Sequence, residues 1–217
     1  MLRNYDNIFE DEIYMDGHGD IDLLCEDSKQ LAAVLQAIPH PGHGPKGVGD
    51  FTHYIIYINQ QPVSIDARHF GDGYYCSQWQ KKMIERRINH DGLYVLHPED
   101  YFNSLIYHAI LQKEVFTKEY QDRLRLMGKE LNIDGGGKDI QKWMQLLESF
   151  MKKHNYQYVF PKDKHVPLNT QFIQDRSLLD FNTKLWLKHF KYRLKIGSIE
   201  FLVKMKHRFY DKKLLKT

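Results

Sequence analysis

Three aspartates in this chain have the side chains and the spacing that metal-assisted chemistry requires. Asp20 and Asp22 flank Ile21 in the run Gly19–Asp20–Ile21–Asp22–Leu23–Leu24–Cys25–Glu26, and Asp66 lies in Pro62–Val63–Ser64–Ile65–Asp66–Ala67–Arg68. Ile21, Leu23 and Cys25 alternate with Asp20, Asp22 and Leu24, the period of an extended strand. Both aspartates therefore share one face, with Cα atoms about 6.6 Å apart at a rise of about 3.3 Å per residue. Two carboxylates that close either push one pKa up or hold a cation between them. A lone Asp-x-Asp also describes an edge strand whose polar face meets water. A third aspartate on a neighbouring strand argues against that reading.

In the second run Val63, Ile65 and Ala67 point one way, and Ser64, Asp66 and Arg68 the other. Asp66 thus joins a polar stripe in a sheet that also holds Asp20 and Asp22. Carboxylate oxygens are hard ligands and suit Mg²⁺ (or Mn²⁺), which binds at about 2.1 Å and keeps room for substrate phosphates. Two such ions about 3.5–4 Å apart can bind a triphosphate, activate a hydroxyl and steady the leaving pyrophosphate. In that scheme Asp20 and Asp22 hold the nucleotide-side metal. All three aspartates hold the second, and Asp66 is also placed to act as general base.

The elements that position these residues follow from local pattern. Asp27 or Ser28 starts a helix in which Leu31, Val34, Leu35 and Ile38 form the apolar face and Pro39 is the stop. Residues 39–50 are a Gly/Pro loop. Gly42-x-Gly44-x-x-Gly47 spells a dinucleotide fingerprint, but it follows a helix and enters a strand, the reverse of the context that motif needs. His40-x-x-His43 is a weak metal signal, and Lys46 is a phosphate contact if the loop closes over a ligand. His53–Ile58 and Pro62–Arg68 form a hairpin about a turn at Asn59–Gln60–Gln61. Trp79–Ile88 reads as a short helix and Leu93–Leu96 as a small strand. From Pro98 the pattern is helical. Phe102, Leu105, Ile106, Ala109 and Ile110 form a core face, with His108 a core histidine. Thr117 caps a second helix with Tyr120, Leu124 and Met127 inward, and a third carries Ile140, Trp143, Leu146, Leu147 and Phe150. Residues 154–171 are irregular, and the chain ends in basic amphipathic helix.

Gly19–Asp20–Ile21–Asp22–Leu23–Leu24, then a capped helix, then a strand with a lone Asp, resembles the nucleotidyltransferase superfamily, which shares the polymerase β fold. His97–Pro98–Glu99–Asp100–Tyr101–Phe102, with Tyr107–His108 on the same helix, is similar to bacterial nucleotidyltransferase-like proteins associated with surface-polysaccharide synthesis. The resemblance covers roughly residues 1–115. It implies an α+β fold: a small mixed or antiparallel sheet with flanking helices over residues 1–96, followed by a helical domain over 97–217. It also implies a Mg²⁺-dependent enzyme that moves a nucleotidyl or phospho-alcohol group from a phosphate donor, a nucleoside triphosphate for the nucleotidyl group, to a hydroxyl of a small molecule or glycan. Asp20, Asp22 and Asp66 are then the catalytic, metal-holding residues. The family places a Gly-Gly or Gly-Ser turn before the Asp-x-Asp, and no such pair stands in residues 1–16. Leu2–Arg3–Asn4–Tyr5 takes that position, with Arg3 on phosphate. His18, Gly19, Lys46 and Arg68 complete the expected nucleotide contacts.

Composition bounds the rest. The chain has 217 residues, 42% hydrophobic and 27% charged, ordinary for a globular protein with a sizeable core. No apolar run approaches the roughly 20 residues that span a bilayer. Met1–Glu12 carries four acids and one Arg, unlike a signal peptide. Cys25 and Cys76 form neither a disulfide framework nor a zinc pattern, which points to a cytoplasmic protein. The net charge of +3 hides an asymmetry: residues 184–217 hold eleven Lys/Arg against two acids, leaving twenty against twenty-six elsewhere. That tail suits peripheral contact with a membrane, and nucleic acid is not expected as a partner. The non-enzymatic alternative is an inactive binding module of the same fold, acting at a membrane or nucleic-acid surface.

Overall fold

The alternating runs become strands, as their period requires. The structure, a computed structural model, describes residues 1–2, 20–43 and 51–214, with side chains as far as residue 198. Arg3, His18, Gly19 and Lys46 lie outside the described residues. The fold is α+β. Strands β1 (Asp20–Cys25), β2 (Ile38–Pro39), β3 (His53–Ile58) and β4 (Gln61–His69) form one sheet in the order β1-β4-β3-β2. β1 runs parallel to β4, while β3 is antiparallel to both β4 and β2, so the sheet is mixed. Asn59 and Gln60 turn the hairpin with φ of 49° and 66°, the double positive φ of a two-residue type I′ turn. Gln61, expected in the turn, opens β4 instead.

One face of this sheet is a small core of Ile21, Leu23, Tyr54, Ile65 and Ala67 under Ala32 of helix α1 (Ser28–Val34). Asp27 caps α1, accepting from the backbone N–H of Lys29 and Gln30 at 2.8 and 3.1 Å. The expected apolar face of this helix is corrected. Val34 and Ile38 are 80% and 48% exposed, and the buried side is Ser28 and Ala32. The helix stops at Val34 because Gln36 turns left-handed, φ 51°, so Ile38 and Pro39 go into β2 rather than a third turn.

The rest of the described chain builds a larger core. It comprises α2 (Ser77–Glu85), the hairpin β5 (Ile88–His90)–β6 (Leu93–Val95), and α3 (Pro98–Ile106) running on as a π turn, Tyr107–Leu111. Then come α4 (Lys118–Glu130), α5 (Ile140–His154), the parallel pair β7 (Tyr158–Val159) and β8 (Leu179–Asp180), and α6 (Thr183–Leu214). Ile88, expected in a helix, pairs with Val95. Pro98 opens α3 behind a His97 cap, and Thr117 caps α4 through Tyr120 N–H. Trp79, Trp143, Tyr75, Tyr107 and Tyr158 are fully enclosed with Phe102, Leu105 and Leu147. Each such side chain contributes about 1.5–3 kcal/mol of burial. The Trp143 ring lies so close to Gly135 that a Cβ there would collide with it, which is why the 134–137 loop is glycine-rich. Leu2 also enters this core and donates its N–H to the Asp22 carbonyl at 2.8 Å, bringing the chain start beside β1.

Candidate active site

The register of β1 on β4 decides where the aspartates go. Parallel pairing sets Asp20 opposite Ser64, Asp22 opposite Asp66 and Leu24 opposite Arg68, so all of these residues share the face away from the small core. Asp20, Asp22 and Asp66 consequently line one pocket of about 340 Å³, within the range of small-molecule sites. The facing wall comes from the helical half: His108 and Gln112 at the π turn, Lys113 beyond it, and Glu119, Tyr120 and Arg123 from α4. His165, Val166 and Pro167 close one side.

Local bonding fixes the floor. Asp20 is exposed, Asp22 is buried, and Asp66 is largely covered. Arg68 donates to Asp66 Oδ2 at 2.7 Å, and its guanidinium lies 4.1 Å from the centre of the Tyr74 ring. Burial works against the Arg68 charge, but Asp66, Tyr74 and Asp72 outweigh it and hold the group protonated beyond its usual range. Arg68 is thus engaged with an acid as well as lining the pocket. Among the described residues, Asp66 Oδ1 and Arg68 Nε are buried with no hydrogen-bond partner. Such atoms cost free energy unless something completes them.

Tyr74 is set by the turn after β4. Gly71 and Gly73 have φ of 78° and 76°, and Asp72 Oδ1 accepts from Tyr74 N–H and from Gln80 Nε2, both at 2.8 Å. The Tyr74 hydroxyl meets His108 Nδ1 at 2.8 Å, and Gln112 Nε2 donates to the Tyr74 carbonyl at 2.7 Å. His108 is 6% exposed and bonded as a core histidine, and it also borders the pocket. The π turn at Tyr107–Leu111 is the kind of bulge frequently found at functional sites. Arg123 donates to the Tyr101 hydroxyl.

The donors fit a divalent cation in kind, though not yet in arrangement. As they stand, the three carboxylates are not drawn into a coordination sphere: among the described residues, no group of three His, Cys, Asp or Glu is spaced to hold a metal ion. Their chemistry does suit a hard cation. All are carboxylate oxygens, Asp66 Oδ1 is an orphaned buried acceptor, and Asp20 is exposed enough to rotate inward. The histidine pair of the Gly/Pro loop is built differently. His40 and His43 pack edge to face at 4.8 Å, and His43 stacks on His53 at 3.9 Å.

Sequence reasoning did not assign Tyr74, Gln112, Lys113, Tyr120, Arg123 or His165 to this site. They come from a turn, a π turn, a helix and an irregular segment, and no local periodicity links them to β1.

No family model matches the chain, and no curated protein matches it. Among solved structures it is similar to the Megavirus polyadenylate synthase, at 20% identity over 62% of this chain with a TM-score of 0.33. The match takes in 29% of that protein, so the chain spans under a third of its length. An overlap that loose carries no argument about activity, which rests on the residues of the site.

Proposed function

We propose that this chain is a Mg²⁺-dependent nucleotidyltransferase-like enzyme, transferring a nucleotidyl group from a nucleoside triphosphate, or a phospho-alcohol group from another phosphate donor, to a hydroxyl of a small molecule or glycan. The observation that carries the reading is three carboxylates from two adjacent parallel strands sharing a pocket with Lys113 and Arg123 on the opposite wall. A carboxylate floor facing cations suits a ligand that carries phosphate and comes with a divalent ion. Asp20, Asp22 and Asp66 would hold that ion, which when bound would neutralise phosphate charge and make a nearby hydroxyl more acidic.

The chain's own groups supply the remaining work. Asp66, oriented by Arg68 at Oδ2, is the carboxylate placed to take the proton of the attacking hydroxyl. The new bond joins that oxygen to the α-phosphorus, the α–β phosphoanhydride bond breaks, and pyrophosphate leaves with its charge met by Lys113 and Arg123. Tyr120, whose ring meets His108 edge to face at 5.7 Å, offers an aromatic wall for a base.

The test is pyrophosphate release from each nucleoside triphosphate with Mg²⁺ or Mn²⁺ and a panel of hydroxyl acceptors. Release that vanishes in Asp22→Asn supports the reading, and undiminished release in that variant removes it. A second reading, a binding module without turnover, is favoured by the engagement of Asp66 with Arg68. It predicts that nucleotide stabilises the protein against heat while pyrophosphate is never released.

A further inference from the structure

Helix α6 is pinned to the body along one side. Lys188 donates to the Lys162 carbonyl at 2.7 Å, and His189 Nε2 lies 2.8 Å from the Pro161 carbonyl. Tyr192 meets His165 Nδ1 at 2.8 Å, and Arg193 donates to Asn169 Oδ1 at 3.1 Å. These four contacts fix the roll of the helix. Its opposite side cannot turn inward.

That opposite side is apolar. At about 3.6 residues per turn, Trp186, Leu187, Phe190 and Leu194 fall on one stripe. They are 39%, 41%, 48% and 56% exposed. Trp186 and Phe190 stack at 5.4 Å, giving a continuous aromatic surface. Exposed Lys184, Lys191 and Lys195 run along its flank. The helix extends over 32 residues, about 48 Å, and residues 184–217 hold eleven Lys/Arg against two acids. Among the described residues no helix is long and apolar enough to cross a membrane.

We propose that this stripe docks α6 flat on an anionic lipid surface, with the aromatic and leucine side chains at the headgroup–acyl boundary and the lysines on lipid phosphates. The helix as a whole does not separate apolar from polar sides, but over residues 184–195 aromatic and leucine side chains lie beside a lysine row, the local pattern of an interfacial helix. A second copy of the chain fits worse, because pairing two such stripes brings like-charged flanks together. Nucleic acid fits worse as well, because it answers the lysines but leaves Leu187 and Leu194 in water. The inference is independent of the reaction in the carboxylate pocket and stands or falls separately.

The chain carries its own probe. Trp79 and Trp143 are fully buried, so a change in indole emission on binding reports Trp186. The full chain is mixed with vesicles of phosphatidylcholine alone, or containing about a third phosphatidylglycerol, and assayed by sedimentation and fluorescence. Expected are binding to the anionic vesicles only, a blue shift of emission, and release as salt rises from about 0.1 to about 0.5 M. Phe190→Ser/Leu194→Ser lowers vesicle affinity about tenfold or more. Lys184→Gln/Lys191→Gln/Lys195→Gln brings anionic binding down to the neutral level. The proposal is overturned by no binding, by equal binding to both vesicles, or by wild-type binding in both variants. A dimer that blue-shifts Trp186 without lipid overturns it in favour of a second copy. Duplex RNA binding that survives the Phe190/Leu194 change while vesicles do not bind overturns it in favour of nucleic acid.

Discussion

Two groups of carboxylates in this molecule meet different fates. At the start of α3, Asp100 is fully buried, accepts from Trp79 Nε1 at 3.0 Å and has Arg86 Nε at 3.6 Å. Beside it, Glu99 takes Arg86 at 2.6 Å and Lys153 at 3.0 Å. Burial opposes the Glu99 charge, yet those hydrogen bonds outweigh it and hold the carboxyl down at about 2. Across the molecule, Asp20, Asp22 and Asp66 crowd one face of a sheet, where Arg68 pairs with one oxygen of Asp66 and the other, Oδ1, is buried without a hydrogen bond among the described residues. The first group is met by cations and donors of its own chain and ties α2, α3 and α5 together, although Asp100 Oδ2, like Asp66 Oδ1, has no hydrogen bond among the described residues. The second borders a pocket that a ligand can enter. The two groups differ in placement: one lies between helices, the other on a pocket floor.

Substitutions should split along the same line. The largest expected effect is on turnover: Asp22→Asn and Asp66→Asn each lower pyrophosphate release by about 100-fold or more, at the upper end of what loss of a metal site's supporting group costs. Circular dichroism of both variants should match wild type, since the amide keeps the shape of the carboxylate and its carbonyl oxygen at position 66 can still accept from Arg68.

Arg86→Met acts in the opposite sense. It leaves Asp100 without its cation and Glu99 without its main hydrogen bond, costing about 2–3 kcal/mol of stability in urea unfolding. Turnover of the folded variant should be unchanged. Trp79→Phe keeps most of the buried ring but removes one donor to Asp100, for about 1–2 kcal/mol by the same measurement.

The smallest effect is the pH dependence. Glu99 has a folded pKa depressed below its ordinary value, so its contribution is full above about pH 4.5 and is lost as pH falls toward 2. With about a third of the side chain exposed, that contribution is about 1 kcal/mol. Asp175, held down to about 2 chiefly by Lys152, adds in the same direction. Urea midpoints at pH 6, 4 and 3 should fall with acid, and fall less steeply in Arg86→Met, where Glu99 loses Arg86 and keeps Lys153.

The acidic half of this contrast was legible in the sequence because period 2 is strict. Asp20, Asp22 and Asp66 each alternate with apolar neighbours, and one in-register parallel pairing converts that alternation into a shared face. The capped starts at Asp27, Pro98 and Thr117 were legible for the same reason, since one or two residues decide them. The end of α1 was not. Whether Val34 and Leu35 start another turn depends on Gln36 adopting a left-handed φ, which no pattern announces. The opposite wall of the pocket was hidden for a different reason. Arg123 and His165 reach it only after α4 packs on α3 and Lys162 bonds the Asp72 carbonyl, long-range outcomes that local propensity does not encode. The Asp100 network is invisible in the His97–Phe102 stretch, which reads as a helix start and a family resemblance, because its partners Trp79 and Arg86 lie on another element.

The central claim is that the carboxylate pocket is a divalent-cation site that accepts a phosphate-bearing ligand. Calorimetric titration of Mn²⁺ into the full chain, with and without a non-hydrolysable nucleoside triphosphate, tests it directly. The account predicts saturable Mn²⁺ binding that tightens with the nucleotide and is lost in both Asp22→Asn and Asp66→Asn. Absence of binding in the wild type, or equal binding in the wild type and both variants, would contradict it.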